Sequence, residues 1–136
     1  MNTKIKSVLF IVISLSFGIL LYILFRPPLS WFPDIKGWDK AIIDISWLPS
    51  LLSSFILYHL SDIIWSLALA EAVYLIKNNL ILAVISSLIL TILFELLQIL
   101  KVVKGTGDIW DIIFVTVFLS IYYFIKRKGY KNEKET

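Results

Sequence analysis

Glu95 and Gln98 lie three residues apart near the end of one apolar run, and Asp108 and Asp111 lie three apart at the head of the next. His59 and Asp62 repeat the spacing at the start of an earlier run. Side chains at i and i+3 project from one helix face. Carboxylates, an amide and an imidazole can exchange protons, hold a cation or hydrogen-bond a polar headgroup. They are also expensive in a greasy segment. A charge at the centre of a bilayer costs roughly 2.5–3.5 kcal/mol on insertion scales, which makes such residues functional suspects by default. Glu95, Asp108, Asp111 and His59 are the candidates for catalysis.

The elements that must position these groups are membrane helices. The chain has 136 residues, of which 59% are hydrophobic, whereas a soluble domain is about 45–50% apolar. Several apolar runs reach the roughly 17–25 residues needed to cross a bilayer. The spacing predicts an all-α integral membrane protein, a bundle of four transmembrane helices at about 7–25, 59–76, 80–100 and 109–125. Residues 1–125 form a single membrane-embedded domain, with an interfacial aromatic loop over 26–58 and a charged, disordered tail over 126–136. Residues 7–25 exceed the apolar core of a signal peptide and lack a small-residue cleavage site, so they read as a retained span that Pro27 and Pro28 stop. Residues 50–58 fit either a long second helix or an interfacial turn before a span starting at His59, and the turn is the preferred reading.

The net charge of +3 comes from basic residues flanking apolar runs, a pattern of membrane topology and not of nucleic-acid binding. With both termini cytoplasmic, Lys4, Lys6, Lys77, Lys126, Arg127, Lys128, Lys131 and Lys134 lie inside. Arg26, Lys36, Lys40, Lys101 and Lys104 then lie outside. Cysteine is absent, which excludes disulfides and thiolate chemistry.

This topology gathers the unusual polar residues at one depth, near the outer face. Ser87, Thr91, Glu95 and Gln98 form one helical stripe, and His59, Asp62 and Ser66 another. Such stripes should face each other or a wet cavity. The expected site is an outward-facing cleft lined by Arg26, His59, Asp62, Glu95, Gln98, Lys104, Asp108 and Asp111. Plainer roles compete. Glu95 and Gln98 could be interhelical glue satisfied by Arg26 or Lys101. Asp108 and Asp111 could serve a helix N-terminus, where the macrodipole favours negative charge. Glu71, on another face of the second span, reads as snorkelling or pairing with Lys77.

Glu95-x-x-Gln98, followed by Gly105-Thr106-Gly107-Asp108-x-x-Asp111, resembles the signature of the VanZ-like family. These are small bacterial membrane proteins named for a teicoplanin-resistance factor. The four residues match the family's E-x-x-Q and D-x-x-D one by one. His59 is a counterpart of the histidine in the family's D-K-x-x-H element, although Asp39-Lys40 lies far upstream. Val115, Thr116 and Phe118 occupy the region where the family commonly has Asn and then Gly. The resemblance implies a multi-pass protein of the bacterial cell membrane and a theme of glycopeptide tolerance, without a reaction.

Three functions fit these residues. In the first, the cleft binds a lipid-linked headgroup or an amphiphilic antibiotic such as a glycopeptide, with Trp31, Trp38 and Trp47 supplying apolar contact and Arg26, Lys101 and Lys104 attracting anions. In the second, the carboxylates and His59 form an enzyme site, either around a divalent cation or with Glu95 as general base. No established hydrolase motif is present, and no cofactor follows from the sequence. In the third, Glu95 and Asp62 relay protons in a transporter, which four short spans without a repeat would need a homo-oligomer to complete. Membrane lipids are partners in all three.

Overall fold

An apolar run that crosses hydrocarbon must satisfy its backbone internally, and a helix does so within one segment. The computed structural model describes residues 3–25, 43, 45, 47–103 and 107–135. Regular structure among them is helical throughout: α1 (Thr3–Phe25), α2 (Ser50–Ser54), a π-helical turn (Phe55–His59), α3 (Leu60–Lys77), α4 (Leu80–Ile99) and α5 (Ile109–Glu135). Four stretches are long and apolar enough to cross a membrane: Lys4–Phe25, Ser50–Lys77, Leu80–Ile99 and Ile109–Gly129. This is the architecture of a multi-pass membrane protein. Large apolar side chains such as Ile13, Ile89 and Phe124 stand exposed along these helices, as suits lipid and not water.

Two stretches differ from the sequence reading. Helix begins at Ser50 and runs to Lys77 without a break, so residues 50–58 are not a separate turn before the span. Pro49, in extended conformation, starts it, and the register change is absorbed by the π turn, in which the Leu60 N–H donates to the Phe55 carbonyl five residues back. The segment expected to be a disordered tail continues α5 as helix to Glu135. It is rich in Lys and Glu, which are good helix formers, and Gly129 is its weakest position.

Helix α3 is the centre of the bundle. It packs on α1, α4 and α5, and α4 also packs on α5, whereas α1 contacts, among the described helical elements, α3 and the π turn. Small residues let the backbones approach. Ala68 and Ala70 of α3 and Ala83 of α4 are buried. Gly18 lies so close beneath the Trp65 indole that a Cβ there would come within 2.0 Å of Nε1. The core between α3, α4 and α5 is Ile63, Ala70, Val115, Leu119 and Tyr122, flanked by Phe55, Leu67, Val84, Leu88, Phe114 and Phe118.

The connections between these three helices are short. Asn78 closes α3 in the left-handed region at φ 48°, and the Asn79 side chain accepts from the Leu82 N–H at 3.0 Å to cap α4. Lys101, at φ 57°, ends α4 in the same way. The two polar stripes do face each other. Ser66 and Thr91 hydroxyls are 3.0 Å apart, and the Ser87 hydroxyl donates to the Ser66 carbonyl at 2.7 Å.

Candidate functional site

The three short-range signals of the sequence converge at the end of the bundle where α3 and α5 begin and α4 ends. The π turn places His59 at the head of α3. An inserted residue rotates every later side chain relative to those before it, and π turns of this kind recur at functional sites. Asp111 sits in the first turn of α5. His59 Nδ1 and Asp111 Oδ1 are 2.5 Å apart, with only about a tenth of either side chain exposed (11% and 10%). This is a largely buried, charge-assisted contact between residues 52 apart in sequence.

Aromatic rings surround the pair. The Phe114 centroid is 4.9 Å from the imidazole and the Phe55 centroid 6.3 Å. Phe55 and Phe114 meet edge-on at 5.1 Å. Excluding water from one side strengthens the electrostatic contact. Trp110, 6.2 Å from Phe114, is exposed at the rim. Phe55 and Phe114 were not legible as site residues, because an aromatic in a membrane helix reads as lipid-facing or core. Their signal is a spacing of four before His59 and three after Asp111.

Glu95 is buried at the end of α4, and its Oε2 accepts from the Asp108 backbone N–H at 2.7 Å. Asp108 Oδ1 in turn accepts from the Trp110 N–H at 3.0 Å. Both carboxylates therefore serve orphan donors at the N-terminal entry to α5. The approach is tight. A Cβ on Gly107 would lie 2.8 Å from the Ile99 nitrogen and 2.9 Å from the Glu95 carbonyl oxygen. Only glycine lets the chain pass there.

Of the remaining sequence candidates, Asp62 is half-buried in the first turn of α3, and Gln98 is half-buried one turn beyond Glu95. Lys101 is exposed. Arg26, Lys104, Trp31 and Trp38 lie outside the described residues. Among the described residues, no group of three or more His, Cys, Asp or Glu side chains is arranged to hold a metal ion.

A second polar centre was not anticipated. Glu71 is 1% exposed, and its partners are not Lys77. Its Oε1 accepts from the Ser7 hydroxyl of α1 and from Lys126 Nζ of α5, the latter at 2.7 Å. Its Oε2 accepts from the Tyr122 hydroxyl at 2.5 Å. Lys77 is exposed, one and a half turns on. The sequence carried a partial signal: a lone acid inside an apolar run, and Tyr122 with Lys126 one turn apart on a single face.

Comparison with family models, with curated proteins and with solved structures finds no match for this chain.

Proposed function

We propose that this chain is a VanZ-like protein of the bacterial cell envelope that binds the polar headgroup of a lipid-linked or amphiphilic ligand at the outer membrane surface. The observation that carries the proposal is the His59–Asp111 contact at 2.5 Å beside an aromatic wall and an exposed Trp110. A ligand with a polar head and an apolar body needs both at one depth. In support, Asp111 fixes Nδ1 of the imidazole, and the ring's Nε2 has no hydrogen bond among the described residues. Glu95, Asp108 and Asp111 also coincide with the family's E-x-x-Q and D-x-x-D positions. The positive-inside rule assigns the Lys77 and Lys126–Lys128 end to the cytoplasm and the His59 end to the outside.

The test uses the natural absence of cysteine. Single substitutions His59→Cys, Glu95→Cys, Gln98→Cys and Asp111→Cys are exposed to a membrane-impermeant thiol reagent on intact cells. Labelling from the outside is the expected result. Protection of all four, or labelling only from the inside, overturns the orientation. Binding of a fluorescent teicoplanin to nanodisc-reconstituted protein should then fall with Asp111→Asn while membrane insertion stays intact.

A membrane enzyme is the second reading, favoured by the same contact, since a carboxylate that orients an imidazole makes it a general base. Release of a hydrolysed headgroup from a lipid-linked substrate, abolished by His59→Gln with binding retained, would favour it over simple recognition.

A further inference from the structure

At the opposite end of the bundle, three spans terminate together: Ser50–Lys77 ends, Leu80–Ile99 begins and Ile109–Gly129 ends. An open groove of about 360 Å³ lies among them, lined by Tyr74, Asn78, Asn79, Tyr123, Lys126 and Arg127. That volume is within the range of about 300–1,000 Å³ typical of small-ligand sites. Its lining holds two cations and no carboxylate. Lys126 divides its ammonium between Glu71 at 2.7 Å and the Tyr74 ring, whose centroid is 5.3 Å away. Arg127 is exposed and lies 5.9 Å from the Tyr123 ring centroid, which orients the guanidinium. No ion pair to Arg127 is formed among the described residues. The exposed apolar side chain of Ile81 also lines the groove.

We infer that this groove binds the phosphate-bearing headgroup of an anionic phospholipid in the leaflet at the Glu71 end. Charge, shape and depth agree on such a ligand. A guanidinium fork matches phosphate oxygens bidentately. Basic pockets between membrane helices at the cytoplasmic level select acidic lipids. The groove opens where the spans meet the headgroup layer, so a lipid can present its phosphate to Arg127 and Lys126 while its chains pass Ile81. The two asparagines, Asn78 and Asn79, offer amide donors on the facing turn.

The test is lipid retention by the full-length protein in native mass spectrometry, with dioleoylphosphatidylglycerol against dioleoylphosphatidylcholine. The intact protein should retain the anionic lipid preferentially. Arg127→Gln should reduce that retention by about tenfold, the loss of a charge-assisted bidentate contact to phosphate. Arg127→Lys should fall between the two, because charge is kept and the bidentate fork lost. Lys128→Gln removes the same charge one residue away, outside the groove, and should leave retention unchanged. Equal loss in Arg127→Gln and Lys128→Gln would reduce the effect to general surface charge and overturn the site. Equal retention of the two lipids would overturn it as well. Displacement of the lipid by an equal concentration of inorganic phosphate would assign the groove to a soluble anion and overturn the lipid.

Discussion

At Glu71 one carboxylate takes donors from Ser7, Tyr122 and Lys126 and is sealed from solvent. At His59 an imidazole is held through one nitrogen by Asp111, and the groups around it cap helix ends. The two centres are twelve residues apart on the same rod, roughly 18 Å at the helical rise. The first joins α1, α3 and α5 in the interior, and every acceptor of Glu71 is used. The second sits where helices start and stop, and there backbone donors and side-chain acceptors must be matched locally. Its imidazole makes one hydrogen bond, through Nδ1, among the described residues. A saturated centre holds a structure together, whereas an end-of-helix centre with a spare donor or acceptor can also recognise a ligand. Both centres link α3 to α5, His59 to Asp111 and Glu71 to Tyr122, so they also fix the parallel register of those two helices.

This contrast can be broken by substitution. The largest effect is expected at Lys126→Met, which leaves the Glu71 carboxylate buried without its cation. Removing one partner of a buried pair costs about 3–5 kcal/mol, read as a loss of stability in detergent-denaturation titrations. The double variant Glu71→Met with Lys126→Met should recover most of that loss. If it does not, the cluster does more than satisfy itself.

Gly107→Ala should come next. Its Cβ meets the backbone of Ile99 and Glu95, which cannot swing away as a flexible side chain would. The cost expected for such overpacking is about 1–3 kcal/mol. Faster hydrogen exchange at the Asp108 amide would show that the Glu95 contact has opened. An unchanged exchange rate there would mean that the hinge relaxes without disturbing Glu95.

Asp111→Asn should be similar or smaller in stability, about 1–3 kcal/mol for a weakened buried polar contact, but larger in function. A fall in ligand binding with a modest fall in stability sharpens the comparison. A fall in stability alone would place His59–Asp111 in the same class as Glu71. The smallest effect is expected at Ser66→Ala. Interhelical hydrogen bonds in membranes average about 0.6 kcal/mol, and thermal denaturation in the same detergent measures it.

The sequence by itself determined the helical class and four stretches long and apolar enough to span a membrane, because apolar length and the positions of Pro, Gly and charge depend on local chemistry alone. It also placed Glu95, Asp108 and Asp111 near one another, since a connection of a few residues between two helices leaves little freedom. The facing of Ser66 with Ser87 and Thr91 was likewise legible from spacings of three and four. Partnership across long separations was a different matter. That Glu71 reaches Ser7 and Lys126 instead of Lys77, and that His59 meets Asp111 instead of merely sharing its depth, depends on how α1 and α5 pack against α3. The π turn at Phe55–His59 belongs to the same class, because propensity alone does not select five-residue closure over four. Only the tertiary structure decided these, because helix rotation and register are set by the summed packing of many weak contacts, none of which is local in sequence.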